Sequence, residues 1–219
     1  MAGGRPAHRP FLLVLAGVNG AGKSSVGGAL LADHGLEWFN PDTFARELGS
    51  ATNVSPAEAN SRAWEQGRLL LERAIAERRN HAFETTLGAS TIPRMLEAAS
   101  RTHDVHVIYV GLSSVERHLA RVHARVSAGG HEIPEAKIRE RWNSSRANLV
   151  RLLPHLVRLQ VFDNSVEAAP GAEIPDPVLV LEMTRGQVVF PRLADARALA
   201  AVPAWARPIV QAALETRPK

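Results

Sequence analysis

Cysteine is absent from the chain. That excludes disulfides and thiolate zinc sites, and it agrees with an expectation of cytoplasmic residence. Lysine is nearly absent too: only Lys23, Lys137 and Lys219 occur, so the net charge of +4 rests on arginine. Such a balance can signal nucleic acid, but aromatic residues make up only 5% of the chain and are not interleaved with the arginines. Nucleic acid is therefore not the expected partner. The apolar stretch from Phe11 to Gly17 is far too short for a signal-peptide core or a membrane span, and no membrane association is expected.

Across 219 residues, 45% are hydrophobic and 22% charged, the proportions of an ordinary soluble domain. This length suits one α/β unit with some decoration. After a polar start carrying Arg5, His8 and Arg9, Phe11 to Ala16 is continuously apolar, the pattern of a strand buried on both faces of a parallel sheet. A glycine-rich turn and a helix from Lys23 to Ala32 follow, then a short second strand from Leu36 to Phe39. Asn40 caps the next helix with Pro41 at its first position, and Ser55, Pro56 and Glu58 form a capping box for a helix reaching about Arg79. A third strand runs through Ala82 and Phe83 into Glu84, Thr85 and Thr86. Further helices are expected at Thr91–Ser100, from Ser113 or Ser114 to Ser127, and at Glu135–Leu153. Further strands are expected at Val105–Val110 and Leu159–Phe162.

Alternating strands and helices predict a doubly wound α/β fold with a parallel sheet of about five strands. We expect a single domain over residues 1–219, with its core at 11–165. Beyond it, 166–219 form an extension of linker, β-hairpin (Val178–Met183 with Gln187–Phe190) and a last amphipathic helix, about Pro208–Glu215, packed on the surface.

Gly17-Val18-Asn19-Gly20-Ala21-Gly22-Lys23-Ser24 satisfies G-x-x-x-x-G-K-[ST] at every required position. Its glycines let backbone N–H groups turn inward around a phosphate, and the dipole of the following helix points at the same spot. Lys23 reaches the β- and γ-phosphates, the Ser24 hydroxyl can ligate Mg²⁺, and Asn19, Ala21 and Ser25 complete the phosphate contacts. An apolar strand leads directly in and a helix leads directly out. The expected cofactors are ATP and Mg²⁺.

A P-loop alone does not separate kinases from switches or motors. The chain has no guanine-reading N-K-x-D element and no L-S-G-G-Q signature. Instead seven arginines fall between Arg117 and Arg151, and Arg121 and Arg125 share one helix face ahead of the Gly129-Gly130 break. An arginine lid within 117–153 would close over phosphates and spread the charge of a transferring group, with Arg141 contributing from the next helix. Asp42, just past the second strand at the carboxyl edge of the sheet, is placed to orient a hydroxyl and accept its proton. Glu84 lies at the same edge, to hold a water on Mg²⁺ or a substrate hydroxyl. Thr85, Thr86 and His131 are further substrate-side candidates, whereas His34, His81, His103 and His155 have no ligand-like spacing.

Taken in order, Gly17–Ser24, Asn40-Pro41-Asp42, Gly67-Arg68, Phe83–Leu87, Arg121–Val126, Gly129–Pro134, Arg139–Arg141 and Asp163-Asn164-Ser165 resemble the zeta toxin family of P-loop kinases, particularly its compact bacterial members. The resemblance implies a kinase-like P-loop NTPase fold, phosphorylation of the sugar of UDP-N-acetylglucosamine, and restraint by an antitoxin protein. By the same resemblance Asp42 is the base, Glu84 contacts substrate or a metal-bound water, and Lys23, Arg125 and Arg141 stabilise the transition state. Arg121 lies against the adenine, beside Asp163 and Asn164. Two other readings remain open on the sequence: a nucleotide-gated switch that would not need Asp42 for turnover or affinity, and a polynucleotide-end kinase.

Overall fold

The structure is a computed structural model, and it describes residues 9–32, 38–130, 132–167 and 175–216. Its centre is a six-stranded sheet in the order β2-β1-β3-β4-β5-β6. Here β1 is Phe11–Ala16, β2 His81–Thr85, β3 Asp104–Gly111, β4 Arg158–Asp163, β5 Val178–Thr184 and β6 Gln187–Phe190. The first four are parallel to one another, β5 pairs antiparallel with β4, and β6 pairs antiparallel with β5. The expected second strand is reduced, among the described residues, to one parallel bridge from Phe39 to Phe83 at the open side of β2. Leu36 and Glu37 lie outside the described residues, as do His34 and His131.

Strand alternation explains the two cores. Leu12, Val14 and Ala16 of β1 point to one face, joining Leu71, Leu96, Leu149 and Leu159 in the main cluster, whereas Leu13 and Leu15 point to the other, with Ile108, Val110 and Val26. Helices cover both faces, as the sequence pattern requires. They are α1 (Lys23–Ala32), α2 (Pro41–Ala51), α3 (Pro56–Ala76), α4 (Thr91–Ala99), α5 (Val115–Ser127), α6 (Glu135–Leu152), the short α7 (Ala196–Ala200) and α8 (Arg207–Glu215).

The caps hold as expected. Asn40 accepts from the amides of Asp42 and Thr43 at 2.9 and 3.2 Å, Ser55 from Glu58 at 3.2 Å, and Ser114 from Arg117 at 3.3 Å. The β5–β6 turn is Arg185-Gly186, both at positive φ (48° and 77°), which suits the twist of a two-residue hairpin. Two expectations need correction. The third strand begins at His81 and ends at Thr85, one residue short of Thr86. The last helix is also no surface decoration: Ile209, Val210 and Ala213 of α8 and the preceding Trp205 are buried in the main cluster. The hairpin widens the apolar face of the sheet, and α8 fills it.

Candidate active site

The loop between β1 and α1 stands at the carboxyl end of β1, the strand between β2 and β3 in the sheet. Its glycines adopt backbone that side chains resist: φ is 138° at Gly17, 80° at Gly20 and 87° at Gly22. Space is equally restrictive. A Cβ on Gly17 would lie 2.1 Å from the Val110 carbonyl oxygen, and one on Gly22 would lie 2.4 Å from Asn164 Nδ2. The loop is fastened from several elements. Asn164 Nδ2 donates to the Ala21 carbonyl at 2.9 Å, Arg141 donates to Asn19 Oδ1 at 2.7 Å, and His118 Nδ1 meets the Asn19 carbonyl at 2.8 Å.

Lys23 and Glu84 are both buried, and their charges meet at 3.3 Å. Lys23 Nζ also donates to the Val18 carbonyl at 3.4 Å. The other Glu84 oxygen accepts from Ser24 Oγ at 3.0 Å and from Asn40 Nδ2 at 3.1 Å. Burying two charges is tolerable only when geometry and extra hydrogen bonds compensate their lost hydration, and here both are supplied. A Ser hydroxyl and a carboxylate at this distance form a hard oxygen donor set. No cluster of three His, Cys, Asp or Glu side chains able to hold a metal exists among the described residues. These residues therefore fit a magnesium ion that arrives on a polyphosphate, with Ser24 as ligand and Glu84 holding a coordinated water, rather than an ion in an all-protein cage.

Two cavities flank the loop. One, of about 480 Å³, is lined by Gly22, Ser25, Arg121, Asn164, Glu167 and Asp176. Arg121 donates to the Asn164 carbonyl at 2.8 Å, and its partial burial holds its guanidinium pKa below the usual arginine value. Asp163 faces elsewhere, accepting from the Ser165 hydroxyl and from the Trp205 indole. The other cavity, of about 380 Å³, is lined by Lys23, Asp42, Glu84, Thr85, Thr86 and Arg141 at its phosphate end. Both volumes suit small ligands. Asp42 pairs with Arg125 at 3.3 Å across the mouth, joining α2 to α5. Burial lowers the Arg141 pKa, offset in part by Glu140 and Asp42. The Thr85 and Thr86 hydroxyls accept from the amides of Leu87 and Gly88 at 3.1 and 3.3 Å, which sets the turn after β2.

Of the sequence-predicted residues, Lys23, Asp42, Glu84, Thr85, Thr86 and Arg141 line one cavity and Gly22, Ser25, Arg121 and Asn164 the other, with Asp163 turned away from both. Sequence reasoning gave no role to part of the wall of the Lys23 cavity: Asn60, Trp64 and Arg68 from α3, the last named only within the Gly67-Arg68 motif, and Lys137 and Glu140 from α6. The spacing of Asn60, Trp64, Gly67 and Arg68 at three to four residues was a legible helix face. Ser145, Asn148 and His118 were also missed. They are polar residues on apolar helix faces, and only tertiary packing shows what they hold.

This loop, on this sheet, defines a P-loop nucleotide-binding protein of the α/β NTPase class. More narrowly, the family model described as an AAA domain (AAA_33) matches residues 12–152, and the chain belongs to that family. A protein of Haemophilus influenzae, itself of uncharacterised function, is 34% identical over 133 residues, covering 58% of this chain and 88% of that one. Among solved structures, the AvrRxo1-ORF1:-ORF2 complex with ATP superposes with a TM-score of 0.62 at 18% identity over 83% of this chain. The chain spans only 60% of the length of that neighbour. A chain of the PezAT chromosomal toxin–antitoxin system of Streptococcus pneumoniae gives 0.51 at 15% identity, over 74% of this chain and 71% of that one. These likenesses concern the fold. No helix among the described residues is long and apolar enough to cross a membrane.

Proposed function

We propose that the protein is an ATP-dependent kinase that transfers the γ-phosphoryl group to a hydroxyl of a small metabolite. One observation carries the reading: the same cavity is lined by the P-loop lysine, Lys23, and by a carboxylate on a different element, Asp42, with room beyond them for a second molecule. A switch that only hydrolyses nucleotide does not require such a chamber.

In this scheme the loop amides and Lys23 grip the polyphosphate, and the nucleoside lies in the cavity lined by Arg121 and Asn164. Magnesium, when bound with the nucleotide through Ser24 and Glu84, neutralises phosphate charge. Asp42 orients the acceptor hydroxyl and takes its proton as the oxygen–phosphorus bond forms. The bond to the β-phosphate oxygen breaks, and ADP leaves. Arg125 and Arg141 supply positive charge at the transfer point, and closure of the α5–α6 region excludes water.

The far walls of the acceptor cavity carry Phe39, Trp64 and Ile92 beside Arg68 and Lys137. Apolar rings beside cations favour an acceptor with a planar or sugar ring and an anionic group, so sugar nucleotides lead, UDP-N-acetylglucosamine first. The test is a mass-spectrometric screen of hydroxyl-bearing metabolites with ATP and Mg²⁺. One compound should gain one phosphate with wild type and none with Lys23→Ala. Hydrolysis with no acceptor gaining phosphate across the screen would favour the switch.

A further inference from the structure

α5 carries Arg121 and Arg125, and three residues before Arg121 on the same face stands His118. It is completely buried. Its Nδ1 lies 2.8 Å from the carbonyl oxygen of Asn19, a group that can only accept, so the hydrogen of this bond belongs to His118. The ring edge abuts Trp142 of α6, with centroids 5.3 Å apart, and its Nε2 meets no hydrogen-bond partner among the described residues. The peptide on the far side is held as closely: a Cβ on Gly20 would come within 2.8 Å of the His118 carbonyl. The Asn19 side chain is meanwhile fixed by Arg141.

We propose that His118 is the positioning residue of the phosphate-binding turn, a neutral imidazole protonated on Nδ1 that clamps the Asn19–Gly20 peptide and registers the arginine helix against the P-loop. Two features make the clamp selective for an uncharged donor. Burial above all drives the imidazole pKa down to about 4, against the hydrogen bond to Asn19, and the groups facing the ring, Lys23 from α1, Arg121 on its own helix and Arg146 from α6, are all cationic and lower it further. A lysine or arginine in its place would bring another positive charge into that surround. The reverse tautomer would set a bare nitrogen against a carbonyl oxygen. With the Asn19 carbonyl tied back to His118, that acceptor faces α5 and is kept away from the phosphate side of the turn. The device therefore serves nucleotide binding directly and Arg121 and Arg125 placement through the helix.

This inference rests on the P-loop binding nucleotide and not on any acceptor, so its test uses ADP affinity by calorimetry together with long-range ¹H–¹⁵N correlation of the labelled wild-type protein. We expect His118 to show a protonated Nδ1 and a pyridine-like Nε2 at neutral pH. His118→Phe should bind ADP roughly tenfold more weakly, the loss of one buried hydrogen bond and an acceptor left unpaired. His118→Asn places an amide nitrogen at the same number of bonds from the backbone and should restore affinity to within about threefold. A protonated Nε2, ADP binding by His118→Phe equal to wild type, or a folded His118→Asn as weak as His118→Phe would each overturn the proposal. If His118→Phe fails to fold, the tautomer and the Asn variant decide. A kinase that transfers phosphate to nothing in the screen would still yield both readouts.

Discussion

The indole of Trp205 donates from Nε1 to Asp163 Oδ1 at 3.2 Å, tying the C-terminal segment to the carboxyl end of β4. Asp163 is followed by Asn164, whose side chain holds the P-loop at Ala21 and whose carbonyl accepts from Arg121. A residue beyond the family-matched segment thus steadies the wall of the cavity proposed for the nucleotide. Trp205→Phe keeps an aromatic ring and deletes only the donor. It should weaken ADP binding by about three- to tenfold, with a stability cost of roughly 1 kcal/mol, since the carboxylate retains its bond to Ser165. Calorimetry and thermal melts read the two effects separately.

Gly111 records the same packing from the other side. A Cβ there would lie 2.2 Å from the Trp205 ring, which is walled in and has little freedom to retreat. Gly111→Ala should therefore destabilise by about 1–3 kcal/mol, the usual scale for an overpacked core. Pairing it with the smaller Trp205→Leu should recover part of that loss, measured by urea titration of both single variants and the double.

Asp42 makes an ion pair with Arg125 while staying about half exposed, so its neutral replacement should be tolerated by the fold. Asp42→Asn should leave ATP affinity within a few-fold and lower phosphoryl transfer roughly a hundredfold or more, the ordinary scale for a general base. Steady-state kinetics with the acceptor found by the screen would measure it. A variant transferring at the wild-type rate would remove Asp42 from the base role.

Much of this architecture could be read before any coordinates. The P-loop announces itself because its glycines answer to local backbone geometry, and the caps at Asn40, Ser55 and Ser114 are local as well. The parallel strands show as apolar runs because both of their faces are covered. Less local features escaped. The tail looks separable in sequence because a stretch rich in Pro, Gly and Ala precedes it, yet α8 buries Ile209 in the main core, a fact set by what the sheet leaves uncovered. His118 reads as one more polar residue on an amphipathic helix until the Asn19 carbonyl is beside it. Trp64 and Arg68 enter the site only because α2 and α3 pack together at the cavity edge.

The turn that follows β2 depends on α6. Leu87 has φ of 51°, unusual for a branched side chain, and its carbonyl accepts from Asn148 Nδ2 at 2.7 Å, which also reaches the Ala89 carbonyl at 3.2 Å. One helical turn earlier, Ser145 donates to the Thr86 carbonyl at 2.6 Å and sits 3.0 Å from the Tyr109 hydroxyl. Asn148→Leu would strand two loop carbonyls, at about 1–3 kcal/mol for a buried acceptor left unsatisfied. Because Thr85 to Ala89 line the cavity proposed for the acceptor and not the one proposed for the nucleotide, the variant should raise the acceptor KM severalfold and leave ADP affinity unchanged. Equal losses on both sides would mean that the loop is not a separate support.

Histidine burial sets the acid limit of stability. Burial lowers the pKa of His81, His103 and His106, and that of His118 to about 4 from 6.5. A lowered histidine pKa means that the unfolded chain takes up protons before the folded one, so stability falls as pH drops through this window and levels below the folded value. From His118 alone the loss between pH 6.5 and 4 is on the order of 3 kcal/mol. Tyr109 acts at the other end. Burial raises its pKa to about 12, so above pH 10 the unfolded chain loses the phenolic proton first and stability falls again. Urea midpoints measured from pH 4 to 11 should therefore form a plateau near neutrality with two shoulders. His118→Asn should shrink the acid shoulder and leave the alkaline one in place, since it removes one of the histidines that resist protonation without touching Tyr109.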